Sequence, residues 1–169
     1  MSIHIPSVIE KVPIDSLIPY AKNARTHSED QIDQIANSMR EFGWTSPVLV
    51  DADGGIIAGH GRLLAAKKVG LSQVPVIRLA HLTEAQRRAL VLADNKLALN
   101  ARWDNQLLAE EIRMLDSEQF DLSVIGFSLD EIENLTVEPD FAPGTESDQG
   151  QLDEKKKTIC PGCGHEFTP

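Results

Sequence analysis

Three stretches of this 169-residue chain carry residues whose types and spacing suit chemistry. The first is Gly59-His60-Gly61-Arg62, which follows the apolar run Ile56-Ile57-Ala58 and precedes Leu63-Leu64-Ala65-Ala66. A short buried strand, a glycine turn and an alanine-rich helical start make a site for an anion. First-turn amides have no helical acceptor, and the helix dipole favours negative charge there. Gly59 and Gly61 permit close backbone approach, and Arg62 offers a fork for a phosphate or carboxylate. The same spacing also suits an ordinary strand-to-helix turn with a surface arginine. His60 likewise has two readings, a turn histidine hydrogen-bonded to the backbone or an acid–base group.

The second stretch is Asp94-Asn95-Lys96, directly after Leu90-Val91-Leu92-Ala93. Those four apolar residues are expected to be largely buried, and an unpaired buried polar group costs about 1–3 kcal/mol. A capping contact to a neighbouring loop or a ligand would supply the partner. The third is Cys160-Pro161-Gly162-Cys163-Gly164-His165, similar to one half of a zinc ribbon. A structural zinc site takes four ligands, and Cys160, Cys163 and His165 offer three at most. Zinc would therefore need a second chain, a partner or a longer parent; a disordered tail is the other reading. A redox role lacks the strand–helix context, and two cysteines so close are no disulfide framework.

Gly59-His60-Gly61-Arg62 with Ala65-Ala66 resembles the G-E-R-R-x-R-A-A box of the ParB N-terminal domain. It is also similar to the G-C-H-R loop of sulfiredoxin, which shares that fold. Further blocks in the same order are Arg25, Ser46-Pro47-Val48, Val74-Pro75-Val76-Ile77 and Asp94-Asn95, so the resemblance runs from Ile14 to Arg102. It resembles most the ParB-like domains of mobile-element proteins, including those placed ahead of phage DNA methylases. The resemblance implies a Mg²⁺-dependent pocket for CTP or ATP, with or without hydrolysis, serving a DNA-related process. Gly59, His60, Gly61 and Arg62 would hold phosphates with help from Arg25. Ser46, beside Thr45, would lie against the nucleotide. Asp94 and Asn95 would contact phosphate or metal, and Asp94 and His60 are the candidate catalytic groups.

Several positions depart from that pattern. His60 stands where partition proteins have Glu, Gly61 and Leu64 where they have Arg, and Leu97 and Ala98 where an E-N-x-Q-R block has Gln and Arg. These losses weigh against clamp-type CTP switching. His60 also stands where sulfiredoxin has its reactive cysteine, so sulfinic-acid reduction is not expected.

The elements that must position these residues are legible from caps and periodicity. Residues 1–13 have room for one short strand, and Ile14–Pro19 is a lead-in stopped by proline. Ser28-Glu29-Asp30-Gln31 reads as a capping box for a helix with Ile32, Ile35, Ala36, Met39 and Phe42 inward, ended by Gly43. Val48–Val50 is a strand, residues 51–55 a solvated turn, and Leu63–Val69 a short helix. Val74–Ile77 is a strand that Pro75 assigns to an edge or a start. Thr83-Glu84-Ala85-Gln86 opens the longest helix, roughly through Leu99. Trp103 should staple to Leu108 ahead of a helix capped by Asp104, and Ser128-Leu129-Asp130-Glu131 opens another.

Together these give an α+β domain, a small mixed sheet with packed helices of the ParB/sulfiredoxin-like kind. The expected domains are 1–102, an acidic helical extension 103–136, a flexible linker 137–157 and a knuckle 158–169. Charge is segregated along them. Residues 60–102 hold eight Lys/Arg against two Asp/Glu, and residues 103–154 hold one against fifteen, within a net charge of −10. The basic stretch suits a phosphate ligand, and the acidic one repels a polyanion. DNA binding is thus expected to be weak or through a partner. With no basic recognition helix in view, the helix-turn-helix of partition proteins is expected to be missing.

No apolar run approaches the ~18 residues of a membrane span, and no signal-peptide pattern opens the chain. A cytoplasmic protein without a membrane partner is expected, with nucleotide and a second copy (a homodimer) as partners. Two rival classes stand beside the nucleotide module. One is a DNA-acting enzyme, a nuclease or phosphotransferase, although no carboxylate cluster with a lysine marks a nuclease centre. The other is a non-catalytic adaptor of a DNA methylase or another protein.

Overall fold

Four strands, β1 (Glu10–Pro13), β2 (Val48–Val50), β3 (Ile56–Ala58) and β4 (Gln73–Arg78), form one mixed sheet in the order β1-β4-β2-β3. β4 runs parallel to β2 and antiparallel to β1, while β2 and β3 make an antiparallel pair. The computed structural model describes residues 3–137 and 158–167, which fall in two compact units divided after Val137. The first unit adds helices α1 (Glu29–Phe42), α2 (His60–Lys68), α3 (Glu84–Ala98), α4 (Asn105–Ser117) and α5 (Leu129–Thr136). The fold is α+β, as the sequence predicts.

Alternation along β3 explains the layering. Ile56 faces a core of Val48, Val50, Val74 and Val76 closed by Leu63 and Ala66 of α2. Its neighbour Ile57 points the other way, toward Leu79 and Val91 of α3. α1 lies on α2 through Ile32, Ala36 and Ala65. The glycine turn between β3 and α2 therefore sits where both layers meet.

Local signals hold with instructive exceptions. Ser28 caps α1 by accepting from the Gln31 amide, but the Gln31 side chain does not close the box; its Oε1 lies 2.9 Å from His27 Nδ1. The boxes at Thr83–Gln86 and Ser128–Glu131 are complete. α2 begins at His60, three residues before the expected start, because Gly59 in the left-handed region (φ +100°) turns the chain directly into the helix. β4 is an interior strand. Pro75 is tolerated because its register partner is Lys11 of β1, and pairing with β2 starts only at Val76.

The turn at 51–55 is more than a solvated tip. Asp51 Oδ1 accepts from the amides of Asp53 and Gly55, and Oδ2 pairs with Arg87 of α3 at 3.2 Å. Of Leu90–Ala93 only Val91 is buried, and Leu92 is 61% exposed. α3 packs on β3 with one narrow edge, so its remaining apolar residues stay at the surface. The Trp103 ring lies 5.8 Å from that of Phe127, and Asp104 caps α4 by accepting from the Gln106 and Leu107 amides.

The second unit is described as a hairpin of β5 (Thr158–Ile159) and β6 (Glu166–Phe167). The expected linker 137–157, apart from Val137, lies outside the described residues.

Candidate functional site

β3 delivers the chain to Gly59, whose left-handed conformation starts α2, and no side chain caps its first-turn amides. A cleft of about 190 Å³ lies over this turn. It gathers Gly59, His60, Gly61 and Arg62 from the turn, Arg25 from the loop before α1, and Asp94 and Asn95 from α3. Seven residues distant in sequence thus line one concavity. Ser46 is not among them. It enters the site through its carbonyl oxygen, which accepts from Arg62 Nη1 and from Trp44 Nε1, while its hydroxyl belongs to an exposed residue.

Arg62 is not the free surface fork that the sequence suggests. Nη1 donates to the carbonyls of Ser46 and, at 3.0 Å, of Pro47, tying the first turn of α2 to the segment entering β2. The guanidinium lies back over the glycine turn, since a Cβ built on Gly59 would sit 3.4 Å from Nη2. Partial burial pulls its basicity down and the Asp94 carboxylate partly restores it. At physiological pH it stays a cation with Nη2 and Nε as the donors these bonds leave over.

His60 takes the backbone role. Its Nε2 accepts from the Tyr20 amide at 3.3 Å, which places the ring proton of the neutral imidazole on Nδ1. Burial, and then the neighbouring His27, lower its pKa, so the ring is neutral near pH 7. Asn95 donates from Nδ2 to the Val91 carbonyl of its own helix at 2.8 Å. This bond occupies one donor of the amide within α3, and Oδ1 keeps its acceptor capacity. Arg25 is placed by its own amide bonding Asn23 Oδ1 at 3.2 Å.

Sequence reasoning missed Asn23, His27, Gln31 and Ile35, which also line the cleft. His27 and Gln31 stand four apart across the α1 cap, a spacing that could have flagged their contact. Gly61 is needed for packing as well as for approach. A Cβ there would meet His27 Cε1 at 2.9 Å and Ile35 Cδ1 at 3.1 Å.

In the second unit, Cys160 and Cys163 are free thiols at the tip of the hairpin. No group of three or more His, Cys, Asp or Glu that could hold a metal occurs among the described residues, so Cys160, Cys163 and His165 do not form a three-ligand site in one chain. No described helix is long and apolar enough to cross a membrane.

A mixed sheet with a glycine turn feeding a helix beneath an α3 that carries Asp-Asn defines the class, a ParB-like domain. The chain belongs to the ParB N-terminal domain family, which matches residues 4–96. Residues 106–160 match the ParB-methyltransferase HTH domain, which corrects the expectation that a helix-turn-helix is missing. The expectation failed because it sought a basic surface, whereas the match rests on a helical segment whose surface is acidic.

A relative is the ParB-like nuclease domain-containing protein YnaK of Escherichia coli K12, 53% identical over 45% of this chain and 87% of its own. The nucleoid occlusion protein of Geobacillus kaustophilus is 30% identical over 52% of this chain, but only 32% of that longer protein is covered. Among solved structures, C-terminally truncated chromosome-partitioning protein ParB from Caulobacter crescentus complexed with CTP-gamma-S superposes with a TM-score of 0.65. It is 23% identical over 77% of each chain, which shows a shared fold.

Proposed function

We propose that the cleft over the glycine turn binds a nucleoside triphosphate, CTP or ATP, with Mg²⁺, in a module serving a DNA-related process of a phage or mobile element. The observation that carries this reading is the convergence of Arg25, Arg62, the α2 amides, Asp94 and Asn95 on one cleft. The Caulobacter relative with a CTP analogue bound supports it. The α2 amides and Arg25 take the phosphates, while Arg62 adds charge and holds the turn in shape.

Asp94 fixes the requirement for a cation. A lone carboxylate facing a triphosphate repels it unless a divalent ion lies between them. The donor set fits Mg²⁺, which binds through one or two carboxylates plus phosphate oxygens and water. Asp94 and the free Oδ1 of Asn95 would hold it, and the ion would neutralise phosphate charge and polarise the terminal phosphate. His60, neutral and occupied by the Tyr20 amide, shapes the turn; its Nδ1–H is the proton it offers an anion. Asp94 is the candidate catalytic group should the nucleotide be hydrolysed.

The acidic residues 103–154 make DNA binding by this chain weak and salt-sensitive, or dependent on a partner. The name of the E. coli relative favours a nuclease as the second reading. Divalent-metal-dependent cleavage of plasmid would support it, and unchanged behaviour after destroying the cleft would support an adaptor instead. A thermal-shift screen of nucleoside triphosphates with and without Mg²⁺ tests the first reading. Ligand at a hundred times its Kd stabilises by about 2.7 kcal/mol, a readily measured rise in Tm. No shift with any triphosphate would overturn it.

A further inference from the structure

His27 stands just ahead of the α1 cap and lays its ring over the first turn of α2. The ring rests on Gly61, where an added Cβ would meet Cε1 at 2.9 Å and Nδ1 at 3.1 Å. Only a glycine at 61 leaves it that place. Its Nδ1 lies 2.9 Å from Gln31 Oε1, one helical turn further on. A carbonyl oxygen accepts, so the proton of the neutral ring sits on Nδ1 and Nε2 keeps a lone pair. Among the described residues Nε2 has no partner, although the residue is half-buried and lines the cleft. The ring is thus held at one nitrogen and free at the other, the arrangement that fixes which nitrogen an imidazole offers a ligand.

The charged and titratable groups that share the cleft with His27 are Arg25 from the same loop, His60 and Arg62 of α2, and Asp94 of α3. Without an anion the two arginines oppose a further positive charge on the ring. An anion lying against the α2 amides reverses that balance, because nearby negative oxygens favour the charged imidazole. His60 would have to give up its bond from the Tyr20 amide to take a proton at Nε2, whereas His27 gives up nothing.

We propose that His27 is a phosphate ligand of the cleft that takes up a proton at Nε2 as the anion binds. This builds on the reading of the cleft as a triphosphate site and adds a residue and a proton to it. The imidazolium donates Nδ1–H to Gln31 and Nε2–H to a phosphate oxygen, and its charge strengthens both bonds. The contribution of His27 to affinity therefore grows as pH falls through the range where imidazole charges. For one proton the gain reaches about tenfold per pH unit.

The test is titration calorimetry of the full chain with inorganic triphosphate and with CTP and ATP in the presence of Mg²⁺, at about pH 8 and about pH 6. Buffers of different ionisation enthalpy make the heat report the protons exchanged. His60→Gln is the background, because it leaves His27 as the one imidazole among the described residues of the cleft. The titration of the ligand itself is common to every variant and cancels in the differences. In this background proton uptake should persist, and binding should be tighter at the lower pH. Adding His27→Gln, which never charges, should abolish the uptake and weaken binding at the lower pH about ten- to a hundred-fold. Adding His27→Lys instead, charged at both pH values, should give binding without uptake. Circular dichroism checks that each variant is folded. Uptake and affinity unchanged by His27→Gln would overturn the proposal and leave the nucleotide reading in place. Binding of inorganic triphosphate that depends on His27, with none of either nucleotide, would support the proposal and overturn the nucleotide reading. No binding of any probe would overturn both.

Discussion

Arg62 Nη1 donates to the Pro47 carbonyl at 3.0 Å, so the residue best suited to bind an anion also fastens α2 to the segment entering β2. The bond to the Ser46 carbonyl comes from the same nitrogen. Arg62→Ala should therefore cost about 1–3 kcal/mol of fold stability without any ligand, since it strands a half-buried carbonyl. Arg62→Lys should recover only part, because a point charge cannot span both acceptors. Urea denaturation of the three proteins measures this, and unchanged midpoints would show that the tie is idle.

Gly61 is pinned by its neighbours. Gly61→Ala should destabilise by about 1–3 kcal/mol, because the methyl meets the His27 ring and the Ile35 tip. Adding His27→Ala should relieve part of that loss, giving a double mutant less damaged than the sum of the singles. Strict additivity in thermal melts would place the cause elsewhere.

His60 predicts a pH effect with a definite sign. Its folded pKa is lowered by burial and by His27, so the unfolded state binds the proton more readily. The stabilisation is fully present above the unfolded value of about 6.5 and is lost as pH falls from there toward the depressed folded value. His60→Gln keeps an acceptor for the Tyr20 amide without titrating, and should flatten Tm against pH over that window. A phosphate in the cleft favours the protonated ring, so wild-type anion affinity should rise over the same interval. A slope identical in the variant would remove His60 as its source.

Asp51 and Arg87 connect the β2–β3 turn to α3, with the Arg87 guanidinium 5.4 Å over the Tyr20 ring. Both side chains are under a quarter exposed. Asp51→Ala should cost more than Arg87→Ala, because Asp51 also holds the Gly55 and Asp53 amides, each such bond being worth about 1 kcal/mol or somewhat more. Equal losses in a double-mutant cycle would mean the ion pair alone matters.

Much of this architecture was legible because local chemistry agreed with the fold. Ser28, Thr83, Asp104 and Ser128 each cap the helix that their spacing announces. The residues of the cleft were legible through resemblance, since nothing in their spacing brings Arg25 or Asn95 to Gly59. What the sequence hid is tertiary. The turn of the Arg62 guanidinium toward Pro47 and the contact of His27 with Gly61 depend on how α1 meets α2. The exposure of Leu92 depends on how little of α3 the sheet can cover. The helix-turn-helix match was hidden for a different reason: surface charge reports partners, whereas a motif is kept by its packing residues.

The central claim is tested most directly by titration calorimetry of CTP and ATP, with and without Mg²⁺, on the wild type, Arg25→Ala, Asp94→Asn and Asn95→Ala. Asp94 is exposed and, among the described residues, the Asn95 side chain bonds within its own helix, so these changes should leave the fold intact. Wild type should bind one of the nucleotides in a Mg²⁺-dependent way. Arg25→Ala and Asn95→Ala should weaken it by about 1.5–3 kcal/mol, roughly ten- to a hundred-fold. Asp94→Asn should lose most of the Mg²⁺ dependence. Wild-type affinity in all three variants, or no heat from either nucleotide, would contradict the cleft as a nucleotide site and leave the glycine turn as architecture.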